Sequence, residues 1–354
     1  MTPVEERLKR RIALTGPISV ADYMAACVGD PDGYYARQEP FGASGDFVTA
    51  PEISQMFGEI VGAWLLDRWR ADGAPDGIDL VELGPGRGTL MADILRVVRR
   101  DPRFIAASRV VLVESSQRLR KRQAETIGGL HPRLSFADRP PRERPLYLVA
   151  NEFFDALPIR QFVRQDSRWF ERTVGVEGDR LLFGLSPFPA PVTGEAPDGA
   201  VREVCAMGEA IARDIAETLT THGKGAALIV DYGYADAIGG ETLQAVHRHD
   251  HAEVLDRPGE VDLSAHVDFG ALGRAAARGG AKAHGPVGQG AFLVALGLVE
   301  RAGQLGTGAS TETQDEIRAA VNRLAGVGPG EMGDLFKAMA LTVTADIPPG
   351  FAPG

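Results

Sequence analysis

The sequence predicts an α/β fold in which a mostly parallel, Rossmann-like sheet is covered by helices on both faces. From residue 79 onward, short apolar runs alternate with amphipathic segments of helical period, an order typical of parallel strands joined by crossover helices. Polar residues follow most of these runs directly. Because open parallel sheets bind ligands beyond the carboxyl ends of their strands, the pattern also predicts a binding site at that edge.

Five apolar runs are the predicted strands of this sheet, and two helical segments connect the first three of them. The runs are DLVEL (79–83), RVVLVE (109–114), RLSFA (133–137), PLYLVAN (145–151) and AALIVDYGYA (226–235). The connecting segments are GTLMADILRVVRR (88–100) and SSQRLRKRQAETI (115–127). A late helix, TETQDEIRAAVNRL (311–324), and a last strand, DLFKAMALTV (334–343), complete the predicted elements.

The domain organisation follows from where this alternation starts and where it is interrupted. Residues 1–60 are predicted as a helical N-terminal cap and lid, with Ser19 as the N-cap of one helix and residues 50–69 as a long amphipathic helix. Residues 61–354 form the sheet domain. Insertions are expected at about 159–200, where period-two alternation around EGDR predicts a β-hairpin, and at about 232–280, a segment suited to substrate loops.

Composition and charge exclude several classes of protein. A net charge of −10 argues against a general nucleic-acid binder, which needs a basic surface to displace counterions. Cys27 and Cys205 have no metal-ligand spacing, so no metal site is predicted. No apolar run approaches the length of a membrane span, and the charged N-terminus is typical of an amphipathic helix rather than a targeting peptide. We therefore expect a cytoplasmic protein with no nucleic-acid partner and no membrane insertion.

The glycine-rich turn after the first strand indicates a cofactor site. Gly84, Gly86 and Gly88 have the spacing G-x-G-x-G, whereas the dinucleotide fingerprint G-x-G-x-x-G needs its third glycine one residue later, where Thr89 stands. Glu82 precedes the turn and would repel a pyrophosphate, since two like charges about 4 Å apart cost about 4 kcal/mol at an intermediate dielectric. A nicotinamide-dependent oxidoreductase is therefore disfavoured.

S-adenosylmethionine fits these residues better, because it has an ammonium group and a sulfonium but no phosphate. Glu82 would then face the ammonium, and Glu114, at the end of the next strand, would accept hydrogen bonds from the ribose hydroxyls. The simpler alternative is that both acids are solvated residues at strand ends. Acid, glycine turn, helix, strand and second acid together favour S-adenosylmethionine.

Clustered carboxylates follow the fourth strand, where this architecture places residues that face the reacting centre. NEFFDALP supplies Asn151, Glu152 and Asp155 within five residues. Paired carboxylates match a planar, cationic guanidinium and help localise its charge or remove its proton. The alternative is a structural turn with solvated acids and core aromatics.

Several stretches, in order along most of the chain, together resemble the MidA-like S-adenosylmethionine-dependent methyltransferases, a family with the class I methyltransferase fold. The stretches are YMAACVGDPDGYYA, GDFVTAPEISQMFGE, VELGPGRGTLMADIL, NEFFDALPIRQF, IVDYGY, PGEVDLSAHVDF and GQGAFLVALGL. The mitochondrial branch of the family implies methylation of a protein arginine on a subunit of the respiratory NADH dehydrogenase, within the assembly of that complex.

Site residues are carried over from this resemblance by motif. The implied cofactor residues are Glu82, Gly84, Gly86, Gly88 and Glu114, with Asp46 and Thr49 as lid positions. The implied acceptor-facing residues are Glu152 and Asp155 beside Asn151, and the implied substrate-binding residues are His266 and Asp268. Helix capping explains Thr49 equally well, and His266 is equally compatible with a structural histidine at a helix start.

The first functional hypothesis is thus an S-adenosylmethionine-dependent methyltransferase that modifies an arginine of a protein. A methyltransferase with another acceptor and a non-catalytic assembly factor that keeps the fold remain the alternatives. The acceptor of this chain need not be the mitochondrial one. The amphipathic first helix would serve a homodimer as well as a core, so the oligomeric state stays open.

Overall fold

The computed structural model describes residues 1–34, 49–235, 240–247, 250–344 and 346–351. The chain forms two compact units. The smaller comprises Met1–Phe47, Asp155–Ala210 and Asp236–His266, and the larger comprises Val48–Phe154, Ile211–Ala235 and Val267–Gly354. The predicted boundaries of a cap at 1–60 and a sheet domain at 61–354 stay a prediction.

The elements of the described residues are numbered in chain order. The helices are α1 (Pro3–Thr15), α2 (Val20–Gly29), α3 (Ala50–Ile53), α4 (Gln55–Ala71), α5 (Thr89–Val98), α6 (Pro102–Ala107), α7 (Gln117–Ile127), α8 (Ala206–His222), α9 (Phe269–Arg278), α10 (Gln289–Ala295), α11 (Leu298–Gly306) and α12 (Thr311–Ala325). The strands are β1 (Ile18–Ser19), β2 (Ile78–Leu83), β3 (Ser108–Val113), β4 (Leu134–Ala137), β5 (Leu146–Asn151), β6 (Arg160–Gln165), β7 (Arg168–Glu177), β8 (Arg180–Pro189), β9 (Val201–Val204), β10 (Gly225–Tyr234), β11 (Gln244–His247), β12 (Asp250–Ala252), β13 (Asp262–Ser264), β14 (Val267–Asp268), β15 (Lys282–Gly288) and β16 (Phe336–Thr342).

The larger unit contains a mostly parallel sheet, as the alternation of strands and helices predicts. Its strand order is β15-β16-β10-β5-β2-β3-β4, with β14 also paired to β10. The run from β10 to β4 is parallel, and β16 is antiparallel to both β10 and β15. The carboxyl ends of the parallel strands therefore share one edge, and the register sets Glu82 opposite Val149 and Asn151 opposite Val230. The predicted α/β fold is confirmed.

The core of the larger unit fixes the helix that follows the glycine turn. Helices α4 and α5 pack with their backbones close together: a Cβ at Gly58 would lie 2.5 Å from the Cβ of Asp93, and one at Gly62 would lie 3.0 Å from the Cα of Ile94. Trp64 on α4 is buried in the same core. Close packing of this kind leaves α5 little freedom to shift, and so it also holds the turn from which α5 starts.

One predicted helix is interrupted. We expected a continuous helix over residues 50–69, but the chain forms α3 and α4 with Ser54 between them in an extended conformation (φ −162°). The Ser54 hydroxyl accepts a hydrogen bond of 3.2 Å from the backbone N–H of Met56 and so caps α4. Serine competes with helix continuation by this kind of local bond, which apolar periodicity does not register.

The smaller unit is built from the N-terminal helices and antiparallel strands. Its sheets have the orders β1-β7-β6-β9, with β8 on β7, and β12-β11-β13. The predicted hairpin around EGDR is confirmed as β7 and β8, with Glu177 paired to Arg180. Helix α1 begins with a capping box between Thr2 and Glu5. Across the part of the chain that the structure describes, no helix is long and apolar enough to cross a membrane.

Candidate functional site

The glycine turn lies between β2 and α5 at the carboxyl edge of the sheet. Gly84, Gly86 and Gly88 all have left-handed backbone conformations, with φ of +60°, +51° and +83°. A Cβ at Gly84 would also lie 2.8 Å from the Cδ2 of Phe153. Only glycine adopts such conformations readily and leaves room for this approach, so the turn presents bare backbone to its surroundings.

Glu82 is the buried acid in front of this turn. Its side chain is 3% exposed, and its Oε2 has no hydrogen-bond partner among the described residues. Burial raises the pKa of the Glu82 carboxyl to about 8, although a hydrogen bond from the backbone N–H of Met91 opposes the shift. A buried acceptor without a donor is costly, and a cationic group bound beside it would offset that cost.

Glu114 follows β3 and is joined to the glycine turn through Gln123. Glu114 accepts hydrogen bonds from the backbone N–H of Ser116 (2.7 Å) and from the side-chain amide of Gln123 (3.1 Å). The same Gln123 nitrogen donates to the carbonyl of Gly86 at 2.8 Å. Burial raises the pKa of Glu114, and these two hydrogen bonds oppose the shift. Gln123 therefore fixes the position of Glu114, the predicted partner of the ribose, relative to the glycine turn.

Sequence reasoning missed Gln123, although the sequence contains a signal for it. Leu119, Gln123 and Ile127 are spaced by four residues on α7, and all three are buried. A polar residue in the middle of an apolar helical stripe must find a partner, and here the partner is the predicted cofactor site.

The segment before α4 contacts the start of α5 through Glu52, which lies in the turn predicted as a possible cofactor lid. The Glu52 carboxylate accepts a hydrogen bond of 2.6 Å from the Thr89 hydroxyl and lies 3.6 Å from the Nη1 of Arg87. Thr49 occupies the N-cap position of α3, but its side chain makes no capping bond. Its predicted role at the cofactor is untested, and Asp46 lies outside the described residues.

The structure brings Asn151 and Glu152 together at the end of β5. The Glu152 carboxylate accepts hydrogen bonds from the backbone N–H of Ala50 and from the Asn151 side-chain amide, both at 3.2 Å. Glu152 has a left-handed backbone conformation, with φ of +51°. Asp231, in β10 directly after the last residue paired with β5, accepts hydrogen bonds from the backbone N–H groups of Phe153 and Phe154. The predicted acceptor motif is therefore a tight, hydrogen-bonded turn.

The remaining predicted residues have structural contacts of their own. Asp155 belongs to the smaller unit, where its carbonyl accepts a hydrogen bond of 3.0 Å from the N–H of Ala265. In that unit the backbone N–H of His266 donates to the Thr242 hydroxyl at 2.9 Å, and burial lowers the pKa of His266. In the larger unit the Asp268 carboxylate caps α9 through the N–H of Ala271 at 2.7 Å. Their roles toward a substrate stay predictions.

Comparison with known proteins identifies the family. Residues 60–287 match the family model described as "Putative S-adenosyl-L-methionine-dependent methyltransferase". The chain belongs to this methyltransferase family. The methyltransferase is 36% identical to the mitochondrial protein arginine methyltransferase NDUFAF7 of Mus musculus, over 96% of this chain and 84% of the relative. It is 35% identical to the Drosophila melanogaster homolog of that protein, over 95% of this chain and 84% of the relative.

A solved structure agrees with this assignment. A likely methyl transferase from Burkholderia thailandensis, bound to S-adenosyl-homocysteine, superposes on the methyltransferase with a TM-score of 0.83 and 27% sequence identity. The match covers 99% of this chain and 92% of that one. The predicted family, the class I methyltransferase fold and S-adenosylmethionine as cofactor are confirmed. The buried carboxyl of Glu82, with its unpaired oxygen, and the exposed backbone of Gly84 fit that cofactor.

Proposed function

We propose that the methyltransferase transfers a methyl group to the guanidinium of an arginine in a protein. The relatives named above support this acceptor, since both are named as protein arginine methyltransferases or homologs of one and match nearly the whole chain. The supporting observation in this chain is the position of Glu152. It follows β5, the strand next to β2, and β2 leads into the glycine turn, so Glu152 lies at the same sheet edge as that turn.

Glu82, the glycine turn and Glu114 would hold the cofactor, which supplies a methyl group on a cationic sulfur. Glu82 would face the ammonium with its unpaired oxygen, and Glu114, already oriented by Gln123, would accept from the ribose hydroxyls. The bare backbone at Gly84 would allow close approach. These assignments give the unpaired Glu82 oxygen a partner of suitable charge.

Glu152 would do the chemistry on the acceptor side. Methyl transfer forms a nitrogen–carbon bond, breaks the sulfur–carbon bond and leaves the guanidinium nitrogen with one proton to lose. A carboxylate at that nitrogen orients the guanidinium, localises its charge and takes up the proton. Helix α3 and Asn151 fix the Glu152 carboxylate through their hydrogen bonds. Asp155, the second predicted acid of the motif, stays a prediction for this role.

From the family resemblance we further propose a subunit of a respiratory NADH dehydrogenase as the acceptor protein, and the cytoplasm as the place of the reaction. Mass spectrometry of that complex from cells with and without the gene would test this. Methylarginine present only in cells that contain the gene is the expected result, and identical spectra would contradict it.

The acceptor type is tested with protein extract from cells that lack the gene. The purified methyltransferase is incubated with this extract and tritiated S-adenosylmethionine, and the protein fraction is hydrolysed to amino acids. We expect the label in methylarginine, and about a hundredfold less of it with Glu152→Gln at unchanged cofactor affinity. Label in methyl-lysine or only in small molecules would contradict the proposal. Cofactor binding without any transfer would favour the non-catalytic assembly factor.

A further inference from the structure

Asp231 is a fully buried carboxylate in β10, directly after the last residue of that strand paired with β5, and it accepts hydrogen bonds from the turn formed by residues 151–154. Its Oδ2 accepts from the backbone N–H groups of Phe153 (3.1 Å) and Phe154 (2.9 Å). Its Oδ1 accepts from the N–H of Tyr232 at 3.0 Å. A hydrogen bond in a buried site has no competition from water, so the two bonds to Oδ2 fix the backbone of the turn.

The turn needs such support because it is strained at Glu152. A left-handed φ of +51° is unfavourable for a glutamate, and such a conformation persists only where the surroundings impose it. On one side of Glu152, its own N–H donates to the carbonyl of Val230 at 2.9 Å. On the other side, the next two N–H groups bind Asp231. The backbone is thus held on both sides of the residue that carries the proposed acceptor carboxylate.

The turn formed by residues 151–154 also contacts the glycine turn. The ring of Phe153 lies so close to Gly84 that a Cβ there would be 2.8 Å from its Cδ2. The backbone N–H of Phe153 is one of those bound by Asp231. Asp231 therefore fixes the backbone at Phe153, which follows the residue with the acceptor carboxylate and whose ring lies against the glycine turn.

We propose that Asp231 is a positioning residue of the methyltransferase, which holds the strained turn so that the Glu152 carboxylate keeps its orientation beside the glycine loop. This inference rests on the acceptor role of Glu152 proposed above. Asp231 itself is buried behind the turn and acts on the reaction only through the backbone of residues 152–154. No proton transfer is assigned to it.

The substitution Asp231→Asn tests this with little change in size. An asparagine has one acceptor oxygen in place of two and adds an N–H₂ donor, so at least one of the three backbone N–H groups loses its acceptor. Asp79→Asn is the matched control: Asp79 is an equally buried carboxylate of the same sheet, at the amino end of β2 and away from the turn. It should lower stability without changing transfer at saturating cofactor.

The experiment measures the initial rate of tritiated methyl transfer into the extract described above for Asp231→Asn, Glu152→Gln and the double variant. We expect Asp231→Asn to lower the rate about tenfold or more at saturating cofactor, with the dissociation constant of S-adenosylmethionine changed by less than about fivefold. If Asp231 acts through Glu152, the double variant will be no slower than Glu152→Gln alone, within about twofold.

Each outcome decides between the two proposals. A wild-type rate for Asp231→Asn, or effects that multiply in the double variant, would overturn the positioning role. A slow Asp79→Asn variant would also overturn it, because the loss would then follow stability alone. A wild-type rate for Glu152→Gln would instead contradict the proposed role of Glu152 at the acceptor, independently of the result for Asp231→Asn.

Discussion

The Thr89 hydroxyl donates a hydrogen bond of 2.6 Å to the carboxylate of Glu52. Thr89 is the first residue of α5, directly after the last glycine of the turn, and Glu52 lies in the short helix α3. The bond therefore fixes the segment before α4 to the end of the glycine turn. This hydrogen bond therefore couples the conformation of α3 to that of the glycine turn.

Loss of this bond should weaken cofactor binding. We expect Thr89→Val and Glu52→Leu each to raise the dissociation constant of S-adenosylmethionine by about ten- to a hundredfold, because a net hydrogen bond to a charged group contributes about 1.5–3 kcal/mol. The two effects should not add in the double variant. Titration calorimetry measures this, with Thr311→Val as control, since Thr311 starts α12 in the same way but is exposed. Additive losses would show that the two residues act independently.

Gln123 provides a second test of the cofactor assignment. Gln123→Leu keeps the volume of the side chain but removes its hydrogen bonds to Gly86 and Glu114, and we expect about tenfold weaker binding of S-adenosylmethionine. Gln123→Glu should be worse, because it sets a second carboxylate beside Glu114. Lys121→Ala, on the exposed face of the same helix, is the control. Wild-type affinity of Gln123→Leu for S-adenosylmethionine would show that these hydrogen bonds do not contribute to cofactor binding.

Local sequence patterns were sufficient for six strands of the larger sheet, β2 to β5, β10 and β16, and for the acids that follow them. Glu82, Glu114 and Asn151 were found because each ends or follows an apolar run, and parallel strands put such ends at one edge. The role of Asp231 depends on the pairing of β10 with β5, which sets Val230 opposite Asn151 across about eighty positions of sequence. No local periodicity encodes that register.

Gln123 was missed, and the contact made by Glu52 was not predicted, for related physical reasons. Gln123 lies inside a helix that looks like an ordinary amphipathic connector, and only the packing of α7 against the glycine turn gives it partners. Glu52 was part of a predicted continuous helix, and the break at Ser54 separates its short helix from α4. In both cases the partners of the residue are set by tertiary contacts, which helix propensity does not predict.

The raised pKa of Glu82 predicts a pH dependence of stability. The pKa of Glu82 is 4.5 in the unfolded chain and about 8 in the folded protein without ligand, so the folded state binds this proton more tightly. The resulting stabilisation is complete below pH 4.5. It is lost as the pH rises through 8. Glu82→Gln removes the titrating group. Urea unfolding of both proteins between pH 5 and about 9 should show a falling free energy of unfolding for the wild type relative to the variant. Parallel curves would mean that the Glu82 pKa is not raised.

The same group predicts proton release on cofactor binding. An ammonium beside Glu82 favours its ionised form, so binding of S-adenosylmethionine below pH 8 should expel its proton. Calorimetry at pH near 6.5 in two buffers of different ionisation enthalpy counts the protons released, and we expect close to one for the wild type and none for Glu82→Gln. A binding enthalpy of the wild type that is the same in both buffers would show that Glu82 does not contact the ammonium.

The buried ion pair between Asp79 and Arg109 predicts an asymmetric loss of stability. Asp79 is fully buried, whereas the side chain of Arg109 is 33% exposed and lies 3.9 Å from Glu143. Arg109→Met leaves a carboxylate buried without its cation, which costs about 3–5 kcal/mol, since a buried charge that loses its partner is not compensated. Asp79→Asn leaves the exposed end of Arg109 in contact with water and Glu143, so we expect a loss of about 1–2 kcal/mol. Urea titration of both variants measures the difference, and equal losses would show that burial of Asp79 does not set the cost.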